Sequence, residues 1–196
     1  MDTLESKDLF EKIMSEGNER TLEIYKAPVF DIQEQMIGIV GVMKDITDII
    51  QTQEHIKTLA YTDFLTSLKN RRSLYHYLEN DLANKNIPLT VLFIDLDNFK
   101  KLNDSFGHHV GDKALVHIAE KLANICDDAF VARVGGDEFV VIWEQISDEI
   151  LTQKLDLLLN KMRTEFSRGE YANIVSVSIG VVRNECSSGE CLKLIC

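Results

Sequence analysis

Two adjacent glycines and two adjacent acids separate apolar segments in the run from Arg133 to Val141, and this pattern predicts a β-hairpin. The hairpin is expected to extend from Phe130 to Trp143. Glycine adopts positive φ angles and lets a ligand approach the backbone, which suits a tight turn. Asp137 and Glu138 follow the glycines, and their carboxylates are the hard oxygen ligands that Mg²⁺ prefers. The tip of this hairpin is therefore a candidate metal site.

A second predicted strand also ends in acids. The apolar run from Leu89 to Ile94 leads directly into Asp95, Leu96 and Asp97. Mg²⁺ is usually held by one or two carboxylates together with the phosphates of the substrate, so two such strands indicate a phosphoryl or nucleotidyl transferase. Each segment alone also fits an ordinary hairpin turn or an ordinary helix N-cap. Their combination favours catalysis.

Several segments, in this order, resemble the motifs of the GGDEF family, the diguanylate cyclases. The central segment, Gly135-Gly136-Asp137-Glu138-Phe139, is the family signature letter for letter. The accompanying segments are Asp63-Phe64-Leu65-Thr66 with Asn70-Arg71-Arg72, Phe93 to Lys100 with Asn103-Asp104, Gly107-His108 with Gly111-Asp112, and Ser178-Ile179-Gly180. The resemblance covers residues 63 to 182.

This resemblance implies a ferredoxin-like α/β (α+β) nucleotidyl cyclase domain that condenses two GTP into cyclic di-GMP and releases pyrophosphate. One GTP would be bound by each protomer of an antiparallel homodimer. The resemblance further implies that Asp95, Asp137 and the backbone carbonyl of Leu96 chelate Mg²⁺, which neutralises triphosphate charge and lowers the pKa of the attacking 3′-hydroxyl. Asp137 would be the catalytic acid or base, Glu138 a candidate for a second metal, and Lys100 a cation that stabilises the transition state.

Guanine recognition is also implied by the resemblance. Guanine presents two donors, N1–H and the 2-amino group, so a carboxylate acceptor paired with an amide donor distinguishes it from adenine. Asp112 and Asn103 match the family's guanine-contacting positions, and His108 lies in the same segment. Two plainer interpretations stay open: Asp112 as the N-cap of the following helix, and Asn103 as a solvated helix residue.

Composition narrows the classes of function. The chain of 196 residues is 45% hydrophobic, which is enough for a core, and its net charge of −11 argues against a nucleic-acid or anionic-membrane surface. The longest apolar stretch, Ile37 to Met43, is far below the roughly 20 residues of a membrane helix, so neither insertion into a membrane nor an export signal is expected. The expected location is the cytoplasm. No Walker-type glycine loop occurs, which disfavours a P-loop NTPase.

The N-terminal segment, residues 1–47, is predicted to hold two strands, Thr21 to Phe30 and Met36 to Lys44, around a polar turn. Together with the ending Asp45-Ile46-Thr47, these strands resemble the closing part of a PAS sensory domain. An unrelated hairpin extension is the alternative. So short a segment is not expected to bury a core by itself.

Residues 48–62 are predicted to form a linker helix. Ile46, Ile49, Gln53, Ile56 and Ala60 are spaced by three and four, as in a short coiled coil. An amphipathic helix packed on its own domain is the alternative.

Residues 63–196 are assigned to the cyclase-like domain, with helices and strands in alternation. The predicted elements are helix Arg72 to Ala83, strand Leu89 to Ile94, helix Asn98 to Ser105, helix Asp112 to Ile125, the hairpin, helix Ser147 to Phe166 and strand Asn173 to Val182. Leu115, Ile118, Leu122 and Ile125 form a one-sided stripe that predicts core, not a cofactor site.

Departures from the family pattern lead to further expectations. Cys126 and Ala129 stand where the family's product-inhibition site has Arg-x-x-Asp, so feedback through that site is not expected. Cys126 is expected to be buried, and Cys186, Cys191 and Cys196 to form a reduced tail without a metal. Relative to the family, the domain is also expected to be truncated after Val182 and to lack its last helix, which would make turnover weak or absent.

Two other classes of function therefore remain beside the cyclase. One is a degenerate binding module that holds GTP or cyclic di-GMP without turnover. The other is a dimerisation module built on the linker helix.

Overall fold

The computed structural model of the chain describes residues 9–15, 17–82, 85, 87–166 and 176–184. The chain divides into two compact units, Met1–Thr58 and Leu59–Cys196, and each is described by itself. Within the described ranges, no helix combines the length and the apolar character needed to span a bilayer.

The first unit contains a three-stranded antiparallel sheet in the order β1-β2-β3. Its strands are β1 (Leu9–Ser15), β2 (Asn18–Phe30) and β3 (Met36–Asp45). The turn between β2 and β3 is fixed by Asp31, whose Oδ1 accepts hydrogen bonds from the backbone N–H groups of Gln33 and Gln35, both at 2.8 Å. The two predicted strands are observed, whereas β1 was not predicted from the sequence.

The helix α1 (Thr47–Tyr61) begins directly after β3. Asp45 Oδ1 accepts hydrogen bonds from the N–H of Thr47 at 3.0 Å and from its hydroxyl at 2.6 Å, which satisfies the first N–H group of the helix. Ile24 and Ile46 are the buried hydrophobic residues of this unit within the described ranges, and none of the α1 residues is buried. The first unit therefore exposes most of its apolar side chains.

The second unit is a mixed α/β domain around a five-stranded sheet, which confirms the predicted fold class. The strand order is β4-β6-β7-β5-β8, with β5 pairing antiparallel to both β7 and β8. In chain order the elements are β4 (Lys69–Asn70), α2 (Arg71–His76), a π-helical turn (Tyr77–Asp81), β5 (Leu89–Asp97), α3 (Phe99–Phe106), α4 (His108–Ile125), β6 (Phe130–Gly135), β7 (Glu138–Glu144), α5 (Asp148–Phe166) and β8 (Ser176–Asn184).

The core of this unit lies on both faces of the central strands, which is why β5 and β7 are apolar along most of their length. One cluster packs α3, α4 and α5 against the sheet, and a second packs α2 and the π-helical turn against the other face. The predicted stripe of α4 contributes Leu115, Ile118 and Leu122 to the first cluster. Cys126 is fully buried beside them, and burial raises the pKa of its thiol to about 12.

Several predicted boundaries were wrong. The helix expected from Arg72 to Ala83 becomes π-helical at Tyr77, and the strand expected to end at Ile94 continues to Asp97 because it pairs with β8 as far as Ser176. The helix expected to begin at Asp112 begins at His108. Some predictions concern residues outside the described ranges. They are the first part of the last strand, residues 173–175, the three terminal cysteines, and the truncation after Val182, of which only residues 183–184 are described.

The early start of α4 has a backbone cause. Gly107 lies between α3 and α4 with φ 86° and ψ 156°, a conformation that glycine adopts far more readily than other residues. One helix therefore ends and the next begins at the same residue. This junction places the residues around Asn103 and Asp112 on two consecutive helices.

Candidate active site

The acidic residues of the two predicted sites meet across one strand pair. In the antiparallel register of β5 and β7, Asp95 lies opposite Glu138, and Asp137 precedes Glu138 in the turn from β6. Asp95 and Glu138 are exposed, and Asp137 is half-buried. The hairpin and the second acidic strand predicted from the sequence are thus neighbours in the sheet.

The electrostatics at Asp95 favour a cation. Partial burial, followed by the negative charges of Asp137, Asp97 and Glu138, raises the pKa of the Asp95 carboxyl above its usual range. Within the described ranges, no cluster of three or more His, Cys, Asp or Glu side chains has metal-binding geometry. Mg²⁺ does not need such a cage, because it keeps several waters and uses the phosphates of its substrate. The donor set therefore fits Mg²⁺ bound together with a nucleotide.

Asp97 has a different role from Asp95. Its carboxylate accepts hydrogen bonds from the hydroxyls of Ser176 at 2.6 Å and Ser178 at 2.7 Å, both on β8. The bond from Ser176 and then that from Ser178 lower the pKa of Asp97, while burial opposes the shift. Asp97 therefore ties β8 to the end of β5.

The tip of the hairpin is held by an arginine that the sequence analysis did not single out. Arg133 donates to the carbonyl oxygen of Gly136 from Nη2 at 2.7 Å and from Nε at 3.1 Å. Its Nη1 donates to Asp63 Oδ1 at 2.9 Å, and the two side chains are only 13% and 16% exposed. Arg133 thus connects the turn before Asp137 to the segment that follows α1.

Asp63 is fixed in turn by Thr66, which donates to its Oδ1 from the backbone N–H at 2.9 Å and from the hydroxyl at 2.7 Å. Burial alone would raise the pKa of Asp63, but the hydrogen bonds from Thr66 and Arg133 outweigh it and hold the pKa below its usual range. Asp63 and Arg133 both belong to segments that the sequence analysis noted, the first in Asp63 to Thr66 and the second just before the glycine pair. Their separation along the chain hid the contact.

The candidate guanine residues lie on α3 and α4. Asn103 is partly buried on α3, whereas Asp112 is exposed on α4 and His108 is the first residue of that helix. The interpretation of Asp112 as an N-cap is wrong, because Gly107 occupies the cap position. The interpretation of Asn103 as a solvated residue is also wrong, because its Oδ1 is buried.

Two pockets flank the hairpin tip. A pocket of about 360 Å³ is lined by Asp95, Glu138 and Ser178, and one of about 370 Å³ is lined by Asp112 and the glycine pair. Arg71, at the start of α2, borders both. Lys100, Asn103 and His108 line neither pocket, and Lys100 is exposed on α3. The structure therefore brings the carboxylates together, whereas these three residues lie on α3 and α4 outside both pockets.

Comparisons with known proteins give the following relationships. A family model described as "Diguanylate cyclase, GGDEF domain" matches residues 60–195. A diguanylate cyclase of Vibrio cholerae is 40% identical over 135 residues, which are 66% of this chain and 42% of that protein. The signaling protein YkoW of Bacillus subtilis is 30% identical over 192 residues, 93% of this chain and 24% of that protein. The cyclic di-GMP phosphodiesterase PdeR of Escherichia coli is 34% identical over 139 residues, 70% of this chain and 21% of that protein.

The chain thus spans less than half the length of each of these curated relatives. Among solved structures, the coiled coil and GGDEF domain of DgcB from Caulobacter crescentus, in complex with c-di-GMP, superposes with a TM-score of 0.66 at 22% identity. The superposition covers 76% of this chain and 83% of that chain, and it demonstrates a shared fold.

Proposed function

The chain belongs to the GGDEF family of diguanylate cyclases, and we propose that its second unit condenses two GTP into cyclic di-GMP with release of pyrophosphate. The observation that carries the proposal is the register of β5 and β7, which sets Asp95 opposite Glu138 and next to the Asp137 turn. GTP is a cytoplasmic nucleotide, so the proposed reaction belongs to the cytoplasm.

In the proposed reaction, Asp95, Asp137 and the carbonyl of Leu96 would hold Mg²⁺, and Glu138 would be the ligand for a second ion. When bound, Mg²⁺ would neutralise triphosphate charge and lower the pKa of the attacking hydroxyl. Asp137 accepts the proton of the 3′-hydroxyl of one GTP. The freed 3′-oxygen bonds to the α-phosphorus of the other GTP, and pyrophosphate leaves with the electrons of the broken P–O bond. Lys100 stabilises the negative charge that develops at phosphorus.

The proposed base site consists of Asn103 and Asp112, with His108 beside them. Asp112 accepts hydrogen bonds from the guanine donors, and the Asn103 amide donates to an acceptor on the ring. The buried Oδ1 of Asn103, which has no hydrogen-bond partner in the described part of the chain, supports a role beyond solvation.

The proposed enzyme acts as a homodimer, because two GTP, one per protomer, must meet for two 3′–5′ bonds to form. The helix α1 supports this arrangement: Ile49 is 46% exposed, Ile56 58% and Leu59 64%. Apolar side chains at such spacing form a seam when two helices pair. We assign residues 48–62 to this linker and residues 63–196 to the cyclase domain.

For residues 1–47 we propose the closing strands of a PAS-like sensory domain. The segment Asp45-Ile46-Thr47 supports this assignment, because it is hydrogen-bonded to Thr21 on β2. Thr47 Oγ1 accepts a hydrogen bond from the Thr21 N–H at 2.8 Å, and the Ile46 N–H donates to the Thr21 carbonyl at 3.0 Å. These bonds join the end of the sheet to the start of α1, as a signal passing along the chain would require. An unrelated hairpin extension is the competing assignment.

A second candidate function is nucleotide binding without turnover. The similarity to a cyclic di-GMP phosphodiesterase favours it, because that relative is named for breaking down the dinucleotide. A third candidate is a dimerisation module, which the exposed apolar residues of α1 favour.

One experiment separates the three. The purified chain is incubated with GTP and Mg²⁺, cyclic di-GMP and pyrophosphate are measured, and the oligomer size and the binding of GTP are determined in parallel. The cyclase proposal expects both products in a 1:2 ratio. A dimer that binds GTP but forms no product would establish the binding module instead, and a dimer that binds no GTP the dimerisation module.

A further inference from the structure

The Asn103 side chain lies against a residue of α4 that has no side chain, Gly111. Gly111 is buried inside α4, although glycine in a helix interior is less favourable than alanine. A Cβ built on Gly111 would lie 2.0 Å from Asn103 Oδ1 and 3.0 Å from Asn103 Cγ. Real Cβ atoms do not approach other heavy atoms this closely, so the Asn103 amide occupies the volume that any side chain at position 111 would need.

The three heavy atoms nearest to this Cβ position belong to the side chains of Asn103 and Phe99. The ring of Phe99 lies 3.1 Å from the same Cβ position at its Cζ, and a shift of a few tenths of an ångström relieves that contact. Asn103 Oδ1 is the end of a flexible side chain, so the amide can move aside for a Cβ at position 111, but it then leaves its buried position against α4. The clash is the same for either orientation of the amide, since oxygen and nitrogen are of similar size.

We propose that Gly111 is the positioning residue for base selectivity: by having no side chain, it admits the Asn103 amide against α4 with Oδ1 inward and Nδ2 facing the base. The inference rests on the proposed function, because it names a selectivity determinant of the same site. Asp112 follows Gly111 directly and supplies the acceptor for the guanine donors. Gly111 touches neither the base nor the phosphates, and acts through Asn103 alone.

The test measures base discrimination in the full chain. The probes are 3′-deoxy-GTP and 3′-deoxy-ATP with Mg²⁺, which lack the attacking hydroxyl and so bind without cyclisation. By titration calorimetry, Gly111→Ala is expected to weaken 3′-deoxy-GTP about tenfold, the cost of about one hydrogen bond, and to leave 3′-deoxy-ATP unchanged. In the Asn103→Ala background, adding Gly111→Ala should weaken neither nucleotide further. Gly38→Ala is the matched control, because its Cβ would meet nothing within 4 Å.

Unfolding by denaturant gives a readout that needs no nucleotide. Gly111→Ala should raise the midpoint less in the presence of Asn103 than in the Asn103→Ala background, where no amide has to move and alanine is the better helix former. Equal loss of both nucleotides would mean general damage and would overturn the proposal. The proposal would also be overturned if the wild type binds 3′-deoxy-GTP and Gly111→Ala discriminates between the two nucleotides as well as the wild type does. If the wild type binds no 3′-deoxy-GTP, the proposed function itself fails and takes the selectivity role with it, while the unfolding cycle still decides the steric contact.

Discussion

At the scale of single residues, Asp95 and Asp137 are the first test of the proposed metal site. Asp95→Asn or Asp137→Asn should each reduce cyclic di-GMP formation at least about a hundredfold, because a lost Lewis acid is worth several kcal/mol at 1.36 kcal/mol per decade. Stability should not fall with activity. The raised pKa of Asp95 means that its charge is disfavoured in the folded state, so stability without Mg²⁺ decreases as pH rises from the unfolded pKa of about 3.9 through the higher folded pKa.

Asp95→Asn should therefore match or exceed the wild type in thermal stability at pH 7 in the presence of a chelator. Asp156→Asn, which changes an exposed carboxylate on α5, serves as the control for both activity and stability. Turnover at saturating Mg²⁺ that survives in either active-site variant would show that the metal is held elsewhere.

The pair of Asp63 and Arg133 makes a second prediction at this scale. Arg133→Met should lower the free energy of unfolding by about 1–3 kcal/mol, because it leaves a largely buried carboxylate and the Gly136 carbonyl without their donor. Activity should fall as well, since the turn before Asp137 loses its brace. Arg133→Lys should restore stability and activity only in part, because lysine lacks the planar guanidinium that bonds the Asp63 carboxylate and the Gly136 carbonyl together.

The pH dependence of that pair has the opposite sign to that of Asp95. The pKa of Asp63 is lowered in the folded state, so its stabilisation is present above about pH 4 and is lost as the pH falls through the lower folded pKa. Denaturant unfolding of the wild type and Asp63→Asn at pH 7 and pH 3 measures this. A stability difference that is as large at pH 3 as at pH 7 would contradict the ion pair.

At the scale of elements, local patterns in the sequence identified most helices and strands but not where they begin and meet. The hairpin and the stripe of α4 were predictable because apolar periodicity and the glycine pair are local signals. The start of α4 was missed because Asp112 resembles an N-cap, whereas the break is set by the backbone of Gly107. The Asp63–Arg133 contact was missed because β4 and β6 bring together segments that are distant in the chain.

The same acids were found in the sequence for a physical reason. Two apolar runs that each end in carboxylates form a local pattern that the sequence shows directly, and carboxylates are the ligands that Mg²⁺ prefers, so Asp95 and Asp137 could be identified without any structure. The buried amide of Asn103 could not be foreseen, since it depends on how α3 packs against α4.

The junction of α3 and α4 gives a prediction at this scale. Gly107→Ala should lower the free energy of unfolding by about 1–3 kcal/mol, because φ 86° with ψ 156° is nearly restricted to glycine, and the new Cβ would also lie 3.2 Å from His109 Nδ1. Chemical denaturation measures the loss, with Gly38→Ala as the neutral control. A variant as stable as the wild type would show that the junction readily adopts another backbone conformation.

At the scale of the whole molecule, the first question is whether the product regulates its own synthesis. Cys126 is fully buried and Ala129 packs against the core, so neither position offers the charged pair of the family's inhibitory pattern. The neighbouring Asp128 is bound to Lys154 Nζ at 2.9 Å. Added cyclic di-GMP should therefore raise the apparent KM by competing with GTP and leave kcat unchanged. Initial rates at several GTP concentrations decide this, and a fall in kcat would reveal an allosteric site.

The second question is how two protomers meet, and α1 makes a quantitative prediction. If each protomer contributes one GTP, specific activity must rise with protein concentration and level off where the dimer is complete. Ile49 and Ile56 are about half exposed on α1, and burying such side chains in a seam stabilises association by about 1.5–3 kcal/mol each at full burial.

Replacing both Ile49 and Ile56 with Asp should therefore move the activity midpoint to at least about tenfold higher protein concentration without changing the plateau. Gln51→Glu, on the opposite side of the predicted seam, is the charge control. Analytical ultracentrifugation over the same range should show the dimer forming at the activity midpoint. Activity independent of concentration in a monomeric protein would rule out cyclisation between protomers, whereas a monomer that binds GTP without forming product would leave the nucleotide-binding role as the better account of the site.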